Sequence, residues 1–227
     1  MFLVTRRHPG STLVPYATLF RSPSIMSLMK KRSFDDTPGA TFQMLLIMQR
    51  AATLGVPLQT RAGGLGNAAL GAAGTDEQKK KWGGMTLAMS ITEPGAGSDT
   101  KAIQSTARLD GDEWVINGDK IFVTTGIRCE GVVVWATVDK AAGRAGIKSF
   151  VVMKGTPGFN IVRKEKKLGI RTSDTAAYSF EECRIPRENL LGGDESVPKP
   201  GQGSASYKGV LKTFNMTRPA VAAGGGQ

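Results

Sequence analysis

Residues 107–123 read ARLDGDEWVINGDKIFV. Three short apolar pieces, 107–109, 114–116 and 121–123, are separated by Asp110-Gly111 and Asn117-Gly118. Both dipeptides are strong hairpin signals, because Asp and Asn tolerate and Gly favours the left-handed backbone of tight turns. Two consecutive hairpins predict an antiparallel sheet. Further strands are expected at 132–138, 147–153, 160–163 and 176–180, with Thr156-Pro157-Gly158 as a turn. Many short strands closing on one another predict a small β-barrel.

Before the barrel the period is helical. Phe42, Leu45, Leu46 and Leu54 fall near spacings of three and four, and Gly55-Val56-Pro57 stops that run. A second helix is expected around 67–73. Thr75-Asp76-Glu77-Gln78 then reads as a capping box, and Lys79-Lys80-Lys81 suits the far end of the helix it starts. Residues 1–38 carry no sustained period, end in the turn-rich run 33–39, and are expected to be disordered or non-native. The expected organisation is therefore α+β. A partial N-terminal helical domain (39–84) precedes a central antiparallel β-barrel (85–192). A Gly-, Pro- and Ser-rich linker (193–206) leads to the start of a C-terminal helical domain (207–227).

Composition narrows the function classes. The 227 residues are 40% hydrophobic and 22% charged, the profile of a globular protein. No apolar run approaches the roughly 20 residues of a membrane span, and Thr5 to Gly10 break any signal-peptide core. Two cysteines, Cys129 and Cys183, and the single His8 argue against a zinc site, a disulfide framework or a histidine base, and the expected location is cytoplasmic. The formal charge of +11 is concentrated at the front. Residues 1–33 hold six basic side chains and no acid, so the rest carries 24 basic against 19 acidic residues. Aromatic residues are sparse among the basic clusters, so nucleic acid is not expected as a partner.

Two glycine-bearing stretches could meet a ligand. Gly64-Leu65-Gly66-Asn67-Ala68-Ala69 fits a relaxed dinucleotide fingerprint, but no clear strand precedes it and no acidic residue sits about twenty positions on. Small residues for close helix packing are the better reading. Ile91-Thr92-Glu93-Pro94-Gly95-Ala96-Gly97-Ser98-Asp99 follows an apolar run and offers backbone N–H groups and short hydroxyls. Its company is Phe122-Val123-Thr124-Thr125-Gly126, which ends an expected strand with hydroxyls and a glycine.

Five pieces in order, residues 89–99, 117–124, 168–175, 185–191 and 217–219, resemble the acyl-CoA dehydrogenase family. The resemblance covers about 44–223. It implies a helical domain, a middle β-barrel and a C-terminal helical bundle binding FAD, usually as a homotetramer. By this likeness the bundle is present only as its opening helix.

The resemblance also implies site roles. Met89, Ser90, Ile91, Thr92, Glu93, Pro94, Gly95, Ala96, Gly97 and Ser98 would run along the flavin. Thr92 would hydrogen-bond its polar edge, and Ser98 would lie near the diphosphate and the bound thioester. Phe122, Val123 and Thr124 would lie against the ring, with the Thr124 hydroxyl towards N5; many family members carry tryptophan where this chain has Phe122. Ser98, Asn215, Met216, Thr217 and Arg218 would line the acyl-CoA channel. The implied reaction is oxidation of acyl-CoA to trans-2,3-enoyl-CoA, with an electron-transfer flavoprotein as acceptor; acyl-CoA oxidase chemistry and a non-catalytic ligand-binding barrel are the alternatives. No catalytic base is expected within the chain, because Thr217 stands where a minority of the family carries glutamate and Glu93 reads as a loop-fixing carboxylate.

Overall fold

A computed structural model describes residues 64–197, apart from Ile170 and Thr172. The expected helix over the first apolar run, residues 207–227 and the channel residues Asn215, Met216, Thr217 and Arg218 lie outside the described residues. Two helices, α1 (Leu65–Ala73) and α2 (Asp76–Trp82), precede seven strands. These are β1 (Leu87–Ser90), β2 (Thr106–Asp110), β3 (Glu113–Thr124), β4 (Gly131–Thr137), β5 (Ile147–Met153), β6 (Phe159–Lys164) and β7 (Thr175–Pro186). No helix among the described residues is long and apolar enough to cross a membrane.

The capping box forms as expected: the Thr75 hydroxyl accepts the Gln78 N–H, and the Gln78 side chain accepts the Thr75 N–H. The remaining capacity of Gln78 reaches across the fold. Its amide donates to the Glu188 and Leu190 carbonyls at 2.9 and 2.7 Å and its oxygen accepts the Gly192 N–H. Helix α1 lies so close to β1 that a Cβ on Gly66 would stand 2.2 Å from the Ala88 carbonyl oxygen. Asn67 locks that contact by accepting from the Leu87 N–H and donating to the Met85 carbonyl, both at 2.8 Å. The glycines of residues 64–69 are therefore spent on packing.

The strands form one curled, mixed sheet in the order β1-β4-β2-β3-β7-β6, with β5 on the other side of β4. Pairings β2–β3, β3–β7, β4–β5 and β6–β7 are antiparallel as expected, whereas β1 and β2 both run parallel to β4. The all-antiparallel expectation rested on hairpin signals, which report only neighbouring strands. Strand β4 is buried along its whole length. Val132, Val134 and Ala136 face the inner core with Trp114, Phe150 and Phe180; Val133 and Trp135 face a second core closed by Leu70, Trp82 and Leu87. A continuous apolar run is what a strand covered on both faces requires.

Asp110-Gly111 makes its hairpin, with Asp110 paired to Glu113 and Gly111 at φ +63°. Asn117-Gly118 does not. β3 runs straight through it, because β7 pairs along nearly the whole of β3 and a bulge there absorbs the irregularity. The Asn117 side chain accepts the Glu182 N–H and donates to the Glu182 carboxylate, holding the extra residue on β7 at φ +45°. Gly118, at φ +137°, sits against Ser105, where any Cβ would stand 2.4 Å from the hydroxyl.

Candidate flavin-facing site

A second irregularity in the β3–β7 pair builds the site. Pairing jumps from Lys120↔Tyr178 to Val123↔Ala176, so β3 carries one residue more than β7. Phe122 lies within that bulge at φ +57° and is 61% exposed. A bulky side chain held in the left-handed region and left in solvent gains neither from its backbone nor from burial. Such an arrangement suits a residue that waits for a ligand. Thr124, at the strand's end, is also exposed, while Val123 between them is buried in the inner core.

The loop after β1 comes alongside. The Ile121 N–H donates to the Thr92 carbonyl at 2.9 Å. Glu93 and Ala96 exchange backbone hydrogen bonds around Pro94-Gly95, which turns Pro94, Gly95, Gly97 and Ser98 out to solvent. Neither Gly95 nor Gly97 has an atom within 4 Å of where a Cβ would lie, so the backbone there is open to an approaching group. Of the remaining expected contact residues, Met89 and Thr92 are half-buried. Ser90, Ile91, Glu93 and Ala96 are buried, so their side chains build the wall behind the surface.

Three side chains given no role from the sequence, Lys120, Asp174 and Tyr178, hold these pieces. Lys120 is fully buried, and its ammonium donates to Glu93 Oε1 at 2.7 Å and to the Ile91 carbonyl at 3.2 Å. Glu93 also accepts the Gln104 and Ser105 N–H groups at 2.6 and 3.0 Å. Burial alone would raise the Glu93 carboxyl, but Lys120 and these donors outweigh it and hold it below its ordinary value. Burial pushes Lys120 down to about 8, with Glu93 pulling the other way. Asp174 secures the far side: its carbonyl accepts the Thr125 N–H, and its carboxylate accepts the Ile127 N–H at 2.6 Å and an Arg128 N–H. Its burial, too, is outweighed, by the Ile127 N–H and Arg128, so its carboxyl sits low. Tyr178 completes the clamp by donating to the Gly126 carbonyl at 2.7 Å. For Lys120, which follows Asn117-Gly118-Asp119, and for Asp174 the local sequence offers no signal of burial.

Residues 88–183 match the family model of the acyl-CoA dehydrogenase middle domain. Residues 88–183 thus form an acyl-CoA dehydrogenase middle domain. The short-chain specific acyl-CoA dehydrogenase of Rattus norvegicus is 41% identical over 155 residues, 66% of this chain and 35% of that protein. The solved butyryl-CoA dehydrogenase of Megasphaera elsdenii superposes with a TM-score of 0.71 at 32% identity, over 83% of this chain and 50% of that one. A structure described as the electron transferring flavoprotein of Acidaminococcus fermentans superposes with a TM-score of 0.68 at 35% identity, covering 81% and 48%. The chain spans about a third of the length of the curated relative and half of the solved ones. An exposed aromatic, the Thr92, Ser98 and Thr124 hydroxyls, and open glycine backbone form a donor set that fits an isoalloxazine with its phosphates.

Proposed function

We propose that this chain contributes the flavin-facing wall of an enzyme that oxidises acyl-CoA to trans-2,3-enoyl-CoA. The observation that carries the reading is the joining of residues 91–98 to 122–124, segments far apart in sequence, into one surface of exposed aromatic, hydroxyl and glycine backbone. FAD, when bound, supplies hydride acceptance. The chain's own part is positional. Phe122 offers a flat apolar face, Thr124 and Thr92 offer hydroxyl hydrogen bonds, and Gly95 and Gly97 admit close backbone approach. Glu93 and Asp174 are the buried carboxylates beside this surface, and both are consumed by N–H donors and a cation. Neither is free to take a Cα proton, so the base is assigned to residues outside those described here. Short acyl chains are the first substrates to test, since curated relatives are named for them. An electron-transfer flavoprotein is the proposed acceptor, supported by the neighbour from Acidaminococcus fermentans.

The test is titration of the purified chain with FAD, followed by flavin fluorescence. Weak saturable quenching, reduced at least tenfold in affinity by Phe122→Ala, is expected; the wild-type chain quenching no flavin refutes the reading. Adding butyryl-CoA anaerobically should leave flavin absorbance unchanged. Bleaching by this chain alone would overturn the assignment of the base and make Glu93 a candidate for that role.

A further inference from the structure

Three separate backbone segments, 91–93, 104–105 and 120–121, converge on a single buried ion pair. Lys120 reaches Glu93 and the Ile91 carbonyl, Glu93 gathers the Gln104 and Ser105 N–H groups, and the Ile121 N–H closes the circuit at the Thr92 carbonyl. We propose that Glu93 and Lys120 are positioning residues for the flavin: they hold the loop 91–98 in register with Phe122 and Thr124. The proposal rests on the flavin-facing reading given above.

The reason lies in the bulge. Strand pairing normally fixes where each side chain points, but between Lys120↔Tyr178 and Val123↔Ala176 the pairing lapses, and Ile121 and Phe122 lie in that gap. Backbone pairing with β7 therefore cannot by itself set the direction of Phe122. The last paired residue before the gap is Lys120, and the ion pair ties it to the opposite loop. On the other side, Glu93 immediately precedes the exposed turn at Pro94-Gly95 and follows Thr92. One charge pair thus sits directly behind both halves of the surface.

Stability alone does not call for such a pair. Burying two charges costs so much desolvation that apolar residues of similar volume are often as stable or more so, and register specification is the best-attested use of buried polar groups. The depressed Lys120 ammonium shows that cost here. The hydrogen bonds to Ile91, Gln104 and Ser105 are what an apolar replacement would lose, and they are the ones that set register.

The experiment uses the full chain and two variants, Glu93→Leu/Lys120→Met and the milder Glu93→Asp, which keeps the charge but shortens the reach. Three quantities are read: thermal midpoint, FAD affinity by fluorescence well below that midpoint, and amide hydrogen exchange. In the double variant the orphaned Gln104 and Ser105 N–H groups should lower the midpoint by about 5–10 °C, while FAD affinity falls at least tenfold. Amides of Gln104, Ser105 and Ile121 should accelerate by a larger factor than those of Val133 and Val151 in β4 and β5. Glu93→Asp should weaken FAD several-fold in the same pattern, and it decides the matter if the double variant fails to fold. Unchanged FAD affinity in a folded variant overturns the proposal, as does acceleration of all amides by the same factor. If the wild-type chain binds no FAD, the flavin reading falls. The exchange pattern still decides the register role: local loss at the three amides supports it, and no local loss overturns it.

Discussion

Replacing Gly66 by alanine discriminates between the two roles open to the Gly64–Ala69 stretch. The new Cβ would lie 2.2 Å from the Ala88 carbonyl oxygen, 2.7 Å from that of Leu87 and 2.8 Å from the Ala88 carbonyl carbon. A relaxed carbon–oxygen contact is about 3.3 Å, so α1 must retreat from β1 by about 1 Å. All three neighbours are backbone of the buried strand β1, so the helix is the part that yields. Retreat stretches both Asn67 hydrogen bonds, now 2.8 Å each, beyond useful length. Overpacking costs about 1–3 kcal/mol, two weakened hydrogen bonds about 1 kcal/mol each, and the alanine returns up to about 1 kcal/mol of helix propensity. The expected net loss is about 2–4 kcal/mol, or a midpoint lower by about 5–15 °C for a chain of this size. Gly71, in the same helix, has nothing within 4 Å of a Cβ and is exposed. Gly71→Ala should therefore stabilise by about 0.5–1 kcal/mol. Urea unfolding of both variants is the assay. A Gly66→Ala variant within about 0.5 kcal/mol of wild type refutes the packing argument and restores the glycines as ligand contacts.

Phe122→Gly should separate stability from function. It removes an L side chain from φ +57°, worth about 1–2 kcal/mol, against about 0.5–1 kcal/mol of glycine entropy. Little burial is lost from a side chain 61% exposed, so urea unfolding should show an unchanged or slightly stabilised chain, and a loss above about 1 kcal/mol would contradict the strain argument. Asp174→Asn should cost about 1–3 kcal/mol through the Ile127 N–H and Arg128 contacts. It should also flatten the acid limb of the stability curve. Because the folded Asp174 carboxyl lies below its ordinary value, the unfolded chain binds the proton first. Its stabilisation is therefore present above about pH 4 and lost as pH falls through the folded value. An acid limb identical to wild type in urea titrations from pH 6 to 3 would refute this.

Local patterning was legible wherever a short segment decides its own conformation. The Thr75–Gln78 capping box, the Asp110-Gly111 hairpin and the strand β4 were all readable, because caps, tight turns and apolar runs are written in neighbouring residues. Ordered motifs likewise pointed to the acyl-CoA dehydrogenase middle domain that residues 88–183 match. The parallel pairing of β1 and β2 with β4 was not readable, since which strands meet is decided by the whole sheet. Asn117-Gly118 carried a strong turn signal that β7 overrode by supplying a long pairing partner on both sides of it. Only the tertiary structure assigned Glu93 and Lys120 to each other. They stand 27 positions apart, and nothing local distinguishes a lysine bound for solvent from one carried inward by a strand. The same holds for Phe122: its residue type suggests a core aromatic, and it is the extra residue of a bulge, set by β7 and the ion pair behind it, that leaves it facing solvent.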